Sequence, residues 1–198
     1  MYVILGVSVF GVAVFCERFG FLYLRLRLNT DVFLRKILFK VEQMDYRGAL
    51  EECRRVEEHP LGRIFKAGLL KADKKDKDIE RAIEESLMRE IPKLKTRINY
   101  MSLFANVATL FGLLGTITGL MAAFEGVANA DAALKQKMLA DGISTAMLTT
   151  AFGLIVGIPC LIGYYVLNNR GNDLADQFEE KAATLFNTLS IIKRKEEN

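Results

Sequence analysis

The sequence predicts an all-α integral membrane protein: three transmembrane helices, with long helices extending into a cytoplasmic helical domain. Three observations carry that prediction. Two uncharged apolar runs, Ser102–Phe124 and Gly142–Asn169, are each long enough to cross a hydrocarbon core of roughly 30 Å, which takes about 20 helical residues. A third apolar run, Met1–Phe15, opens the chain. Charge is also segregated, although 51% of the residues are hydrophobic and 26% charged: 20 of the 27 Lys and Arg fall in 17–100, two in 125–141 and five after Asn168. Lys and Arg concentrate on the cytoplasmic side, so 17–100 and the tail are expected inside and 125–141 outside, with the N-terminus out.

Taken in order, residues 1–24 are expected to form the first transmembrane helix. Met1–Phe15 alone would span only about 22 Å, so the helix is expected to continue through Phe19–Leu24, with Arg18, Arg25 and Arg27 reaching the inner headgroups. Its start lacks a basic residue and Glu17-Arg18-Phe19-Gly20 is no cleavage site, which argues against a signal peptide. Glu17 reads as an isolated interfacial acid. Residues 25–100 form the cytoplasmic helical domain. Thr30-Asp31 offers a cap before a helix to about Gln43, and a second helix covers about Tyr46–Glu57. Pro60 starts a third, with Leu61, Ile64, Phe65, Gly68 and Leu69 on one face. A fourth begins near Asp78 and is expected to run past Pro92 directly into the second transmembrane helix, 101–124. A periplasmic loop at 125–141 and a third transmembrane helix at 142–167 follow. A cytoplasmic C-terminal helix, 168–198, carries an apolar stripe of Leu174, Phe178, Ala182, Leu185, Phe186 and Leu189, suited to bundling with the long helix or with neighbouring subunits.

Several functions are disfavoured. A net charge of +3 with alternating signs gives no basic stripe for nucleic acid. Cys16, Cys53 and Cys160 are far apart and read as small hydrophobic fillers. The single histidine, His59, stands before Pro60 without a ligand cluster, so no metal, no cofactor and no nucleophile–base pair is expected, and the chain does not read as an enzyme.

The informative element is the hairpin. Small residues mark one face of each helix: Ala108, Gly112, Gly115, Gly119 and Ala122 on the first, and Gly142, Ala146, Thr149, Gly153 and Gly157 on the second. Such spacing lets helices pack closely. If Phe124 and Gly142 mark equal depth, residues at one level have numbers adding to 266, which sets Thr116 level with Thr150. Two hydroxyls at one depth would form a polar ring if several hairpins surrounded an axis. The plainer alternative is that each threonine bonds a carbonyl one turn back and the glycines serve packing alone. No Asp, Glu, Lys, Arg or His lies inside either span. A proton relay ordinarily needs one, so a proton-handling hairpin would require a partner to supply it.

The run Ala108-Thr109-Leu110-Phe111-Gly112-Leu113-Leu114-Gly115-Thr116-Ile117-Thr118-Gly119-Leu120 resembles the second-span signature of the MotA/TolQ/ExbB proton-channel family, and Gly142–Pro159 resembles its third-span signature. Glu17-Arg18, Ala49, Cys53 and His59-Pro60-Leu61-Gly62 are similar to the three-span ExbB/TolQ branch. The resemblance implies a bacterial inner-membrane stator subunit that couples proton-motive force to envelope work such as TonB-dependent import. It implies a homo-oligomer, a pentamer in this family, around a dimer of ExbD/TolR-like single-span proteins bearing an intramembrane Asp. A TonB/TolA-like protein is a further implied partner, in contact with membrane lipid. In that scheme a charged Asp is held by pore hydroxyls and a neutralised one leaves. Thr116 and Thr150 match the family's pore threonines, with Thr145 and Thr149 beside them as proton-path positions. Two departures stand out. Thr145 occupies a position where Glu is common, and Thr109 one where Pro is common; the first removes a possible relay group and leaves the coupled ion and the branch open. A non-conducting membrane scaffold that organises partners is the alternative function.

Overall fold

In the computed structural model, residues 2–128 and 132–196 are described. They form seven α-helices and contain no strand: α1 Tyr2–Phe19, α2 Thr30–Glu42, α3 Tyr46–Arg55, α4 Pro60–Leu69, α5 Asp76–Lys95, α6 Asn99–Ala128 and α7 Ala132–Glu196. A π-helical stretch, Gly20–Arg25, continues α1. Three helical stretches are long and apolar enough to cross a membrane, within Tyr2–Arg25, Asp76–Ala128 and Leu134–Lys195. The fold is therefore all-α with three spanning helices, as the sequence predicts.

The chain divides into two units. One comprises Met1–Gly20 and Arg97–Asn168, the other Phe21–Thr96 and Asn169–Asn198. In the first, apolar unit, α1 packs on α6, with Phe10 and Phe104 rings 6.5 Å apart. Gly11 lies against Cys160 so closely that a Cβ on it would stand 2.8 Å from the sulfur. Cys53 and Cys160 are buried and Cys16 is exposed.

The charged unit has a core of its own. Phe33, Ile37 and Val41 of α2, Leu61, Ile64 and Phe65 of α4, Ile79 and Ile83 of α5, and Leu174, Phe178, Leu185 and Leu189 of α7 are all buried. Phe33 and Phe65 stack at 5.5 Å. The α7 stripe is thus covered within its own chain: Phe178 meets the His59 ring edge at 5.5 Å, and Lys181 pairs with Asp31 at 2.8 Å. Each short helix has a side-chain cap. Asn29, one residue before the expected Thr30-Asp31, accepts from the Val32 N–H at 3.2 Å; Asp45 accepts from Gly48 at 2.9 Å. His59 Nδ1 accepts from Leu61 at 3.2 Å, so the histidine serves as the N-cap of α4.

Three local features differ from the sequence reading. The fourth helix does run past Pro92 but stops at Lys95, and Arg97 takes a left-handed φ of 65° before α6 starts. Glu17 is not isolated: Arg97 Nη1 donates to it at 2.7 Å and Arg18 at 3.3 Å. The stretch expected as a loop over 125–141 is helical through Ala128 and again from Ala132, with 129–131 outside the described residues. Its Ala, Leu, Lys and Gln are strong helix formers, so charge there does not end a helix.

Candidate functional site

α6 and α7 approach through the small residues that the spacing singled out. The closest pairs are Gly112 with Gly153, Gly119 with Ala146, and Ala123 with Gly142. Their numbers each add to 265, one short of the expected 266, so the register is as read to within one residue, or about 1.5 Å of helix rise. A Cβ at Gly112 would lie 3.1 Å from the Gly153 Cα; one at Gly153 would lie 2.8 Å from the Ala108 carbonyl oxygen. Gly115 packs on Thr149, and Gly157 on Thr109 and the Ala105 carbonyl. The approach is tightest at Gly153, where an added Cβ would meet only backbone; at Gly112, Gly115, Gly119 and Gly157 a Cβ would press on the facing helix by a few tenths of an ångström or displace a threonine side chain.

The threonines divide into two kinds. Thr150 reaches across the hairpin, its Oγ1 donating to the Gly112 carbonyl at 3.1 Å. Thr149 donates to Ala146 in its own helix at 2.7 Å and lies 3.5 Å from the same Gly112 oxygen. The others bond within their helix: Thr116 to Leu113 at 2.6 Å, Thr145 to Asp141 at 2.9 Å, Thr118 to Leu114 at 3.0 Å, and Thr109 to Ala105 at 3.0 Å. Thr145 is exposed on the chain's surface, while Thr116, Thr149 and Thr150 are half-buried. Gly112 is therefore the centre of the site: its missing side chain admits Gly153, and its carbonyl receives Thr150. The small-residue spacing marked the first role. The second is invisible in sequence, because a carbonyl belongs to every residue.

Every hydroxyl donates to a carbonyl here, since a carbonyl can only accept. Each threonine oxygen keeps its lone pairs and can accept from a further donor without any rearrangement. A carboxylic acid O–H is such a donor; a carboxylate is not. Large apolar side chains cover much of the hairpin's outer surface: Leu110, Leu114, Ile117 and Met121 on α6, and Met147, Leu154, Ile155 and Ile158 on α7, are all exposed.

Outside the hairpin, Glu90 is buried yet charged. It accepts from Arg63 at 2.6 Å and Lys93 at 2.7 Å. Burial alone would push its carboxyl up, but the two hydrogen bonds and charges outweigh that and hold it below the usual carboxylate range. Burial pushes the Cys53 thiol up to about 12, which suits an inert core residue. Among the described residues no cluster of His, Cys, Asp and Glu is placed to hold a metal ion.

Residues 56–180 match the MotA/TolQ/ExbB proton channel family. The Tol-Pal system protein TolQ of Haemophilus influenzae is 35% identical over 98 residues, which cover 50% of this chain and 42% of TolQ. An ExbB homolog from Methanothermobacter thermautotrophicus is 26% identical over 181 residues, covering 90% of this chain and 62% of that protein. The chain thus spans less than two thirds of the length of either relative.

Proposed function

The chain belongs to the MotA/TolQ/ExbB proton channel family, and on that premise we propose that it is an ExbB/TolQ-like stator subunit of an inner-membrane motor that couples proton-motive force to envelope work, TonB-dependent import being one form. It acts as a homo-oligomer, with pentamer as the family number, around a pair of single-span ExbD/TolR-like helices, each with an intramembrane Asp. The N-terminus faces the periplasm and the C-terminus the cytoplasm. One observation supports this above the rest: the two hairpin spans contain no Asp, Glu, Lys, Arg or His yet carry threonine hydroxyls at mid-depth, one of them bridging α6 and α7 at Gly112. Such a lining can accept a hydrogen bond from a protonated acid while contributing no carboxyl, imidazole or amine of its own.

The geometry favours a specific order of events. Thr116 and Thr150 hydroxyls already donate to Leu113 and Gly112, so they greet the partner's neutral carboxyl as acceptors. To hold the charged form they must turn away from those carbonyls and donate instead. Proton release thereby changes the hydroxyl rotamers as well as the partner's charge, and the partner helices move to the neighbouring subunit. Thr145 contributes a neutral hydroxyl, its O–H donated to the Asp141 carbonyl.

Thr150→Val and Thr150→Ser test the assignment. Valine keeps the shape and loses the bond to Gly112, which is worth about 0.6 kcal/mol for an average interhelical hydrogen bond in a membrane, so the oligomer is expected to survive. Proton flux through the complex should be lost in Thr150→Val and kept in Thr150→Ser. Unchanged flux in the valine variant would reduce Thr150 to a packing residue. That result would favour the second reading, a non-conducting scaffold, which draws support from the fact that these threonine hydroxyls all have carbonyl partners.

A further inference from the structure

The charged unit carries two exposed surfaces that complement each other and not themselves. The first is the outer face of α2. Val32, Arg35, Lys36 and Phe39 recur at helical spacing on the side opposite the buried Phe33, Leu34, Ile37 and Val41. Val32 is 47% exposed and Phe39 60%. The second is a groove of about 410 Å³ between α5 and α7, floored by Leu87, Met88, Ile91 and Pro92 and rimmed by Glu84 and Glu179. Met88 is 75% exposed, and neither rim glutamate holds an ion pair among the described residues. One face is apolar and cationic; the other is apolar and anionic.

We infer that the α2 face of one copy docks in the α5–α7 groove of the next copy, so that the charged units form a ring joined head to tail. Three arguments select a second copy of this chain. Charge is complementary: Arg35 and Lys36 meet Glu84 and Glu179, whereas a two-fold contact through either face would set like charges together. Length is comparable as well, since Val32 to Phe39 rises about 10 Å along its helix and Glu84 to Pro92 about 12 Å. Finally, a contact between unlike faces propagates, and copies held in one membrane share the direction of their normal, so a rotation between neighbours about that normal closes the contact as a ring. An anionic lipid surface would attract α2 but leave the glutamate-rimmed groove empty.

The inference rests on the homo-oligomeric reading above, and the test separates the two. Phe39→Cys and Met88→Cys are introduced together in a Cys16→Ser background, in the full chain in its membrane, and oxidised with copper phenanthroline. A ladder of covalent multimers is expected, while each single substitution stops at dimers or below. Arg35→Glu with Lys36→Glu should abolish the ladder, and adding Glu84→Lys with Glu179→Lys should restore it. Native mass is measured on the same material. An oligomer without a ladder overturns this contact alone; a monomer overturns the oligomeric reading and this inference with it. A thiol at position 39 that reacts only with a membrane-soluble maleimide would put α2 on the bilayer, which also overturns the contact.

Discussion

Gly153→Ala puts a methyl group where the hairpin has none to spare. The new Cβ would stand 2.8 Å from the Ala108 carbonyl oxygen and 2.9 Å from the Gly112 Cα, against 3.4 Å for ordinary contact. Both obstacles are backbone atoms of α6, so no side chain can turn aside. The helices must part by about 0.5 Å, the shortfall of those distances from 3.4 Å. That parting draws the Thr150–Gly112 hydrogen bond from 3.1 Å to the edge of hydrogen-bonding range. Overpacking of this kind costs about 1–3 kcal/mol, and the weakened bond adds up to roughly 0.6 kcal/mol. Alanine is also the better helix former by up to about 1 kcal/mol, which must be subtracted. Gly6→Ala supplies that subtraction, because nothing lies within 4 Å of its new Cβ. Unfolding of both variants in detergent with rising dodecyl sulfate measures the difference. Gly153→Ala should be the less stable by about 1–3 kcal/mol; equal stability would refute the close approach of α6 and α7.

Three further outcomes are expected. Burial pushes the His59 imidazole below its ordinary 6.5, the Arg63 charge adds to this and the Leu26 backbone opposes it, so the unfolded chain takes up the proton first. The charged unit should be fully stable above about pH 6.5 and lose stability as pH falls below it; thermal melts of His59→Asn, which keeps a capping acceptor, should show a flatter profile. Glu90→Gln leaves Arg63 and Lys93 facing a neutral amide and should cost about 1–3 kcal/mol in the same unit, read by chemical denaturation. Arg97→Gly relieves a side chain held at φ 65°, a strain of about 1–2 kcal/mol, and removes its exposed ion pair to Glu17, about 1 kcal/mol or less, so stability should hold level or rise by up to about 1–2 kcal/mol, while Arg97→Ala should fall because it keeps the strain and loses the pair.

What the sequence disclosed follows from the kind of signal each feature leaves. Small residues three and four apart leave a clear one, and Gly112, Gly119, Gly153 and Gly157 all lie in the α6–α7 contact. The α4 face was equally plain: Leu61, Ile64, Phe65, Gly68 and Leu69 are all buried. The break before α6 left none, because Leu94 and Ile98 keep helical spacing across it and Arg97 is not a residue that marks a left-handed turn. Its pairing with Glu17 was within reach, since the two charges border adjacent antiparallel spans at one level. The capping role of His59 could be inferred from its place before Pro60 at a helix start. The donation from Thr150 to Gly112 could not, because it depends on a fraction of an ångström in helix separation.

Proton flux into liposomes tests the central claim most directly. The chain would be reconstituted alone, with a single-span partner bearing an intramembrane Asp, and with that Asp replaced by Asn. The two hairpin spans carry no Asp, Glu, Lys, Arg or His, so flux is expected only with the unaltered partner. Flux from the chain alone, or equal flux with the Asn partner, would contradict a channel whose titrating group comes from outside the hairpin.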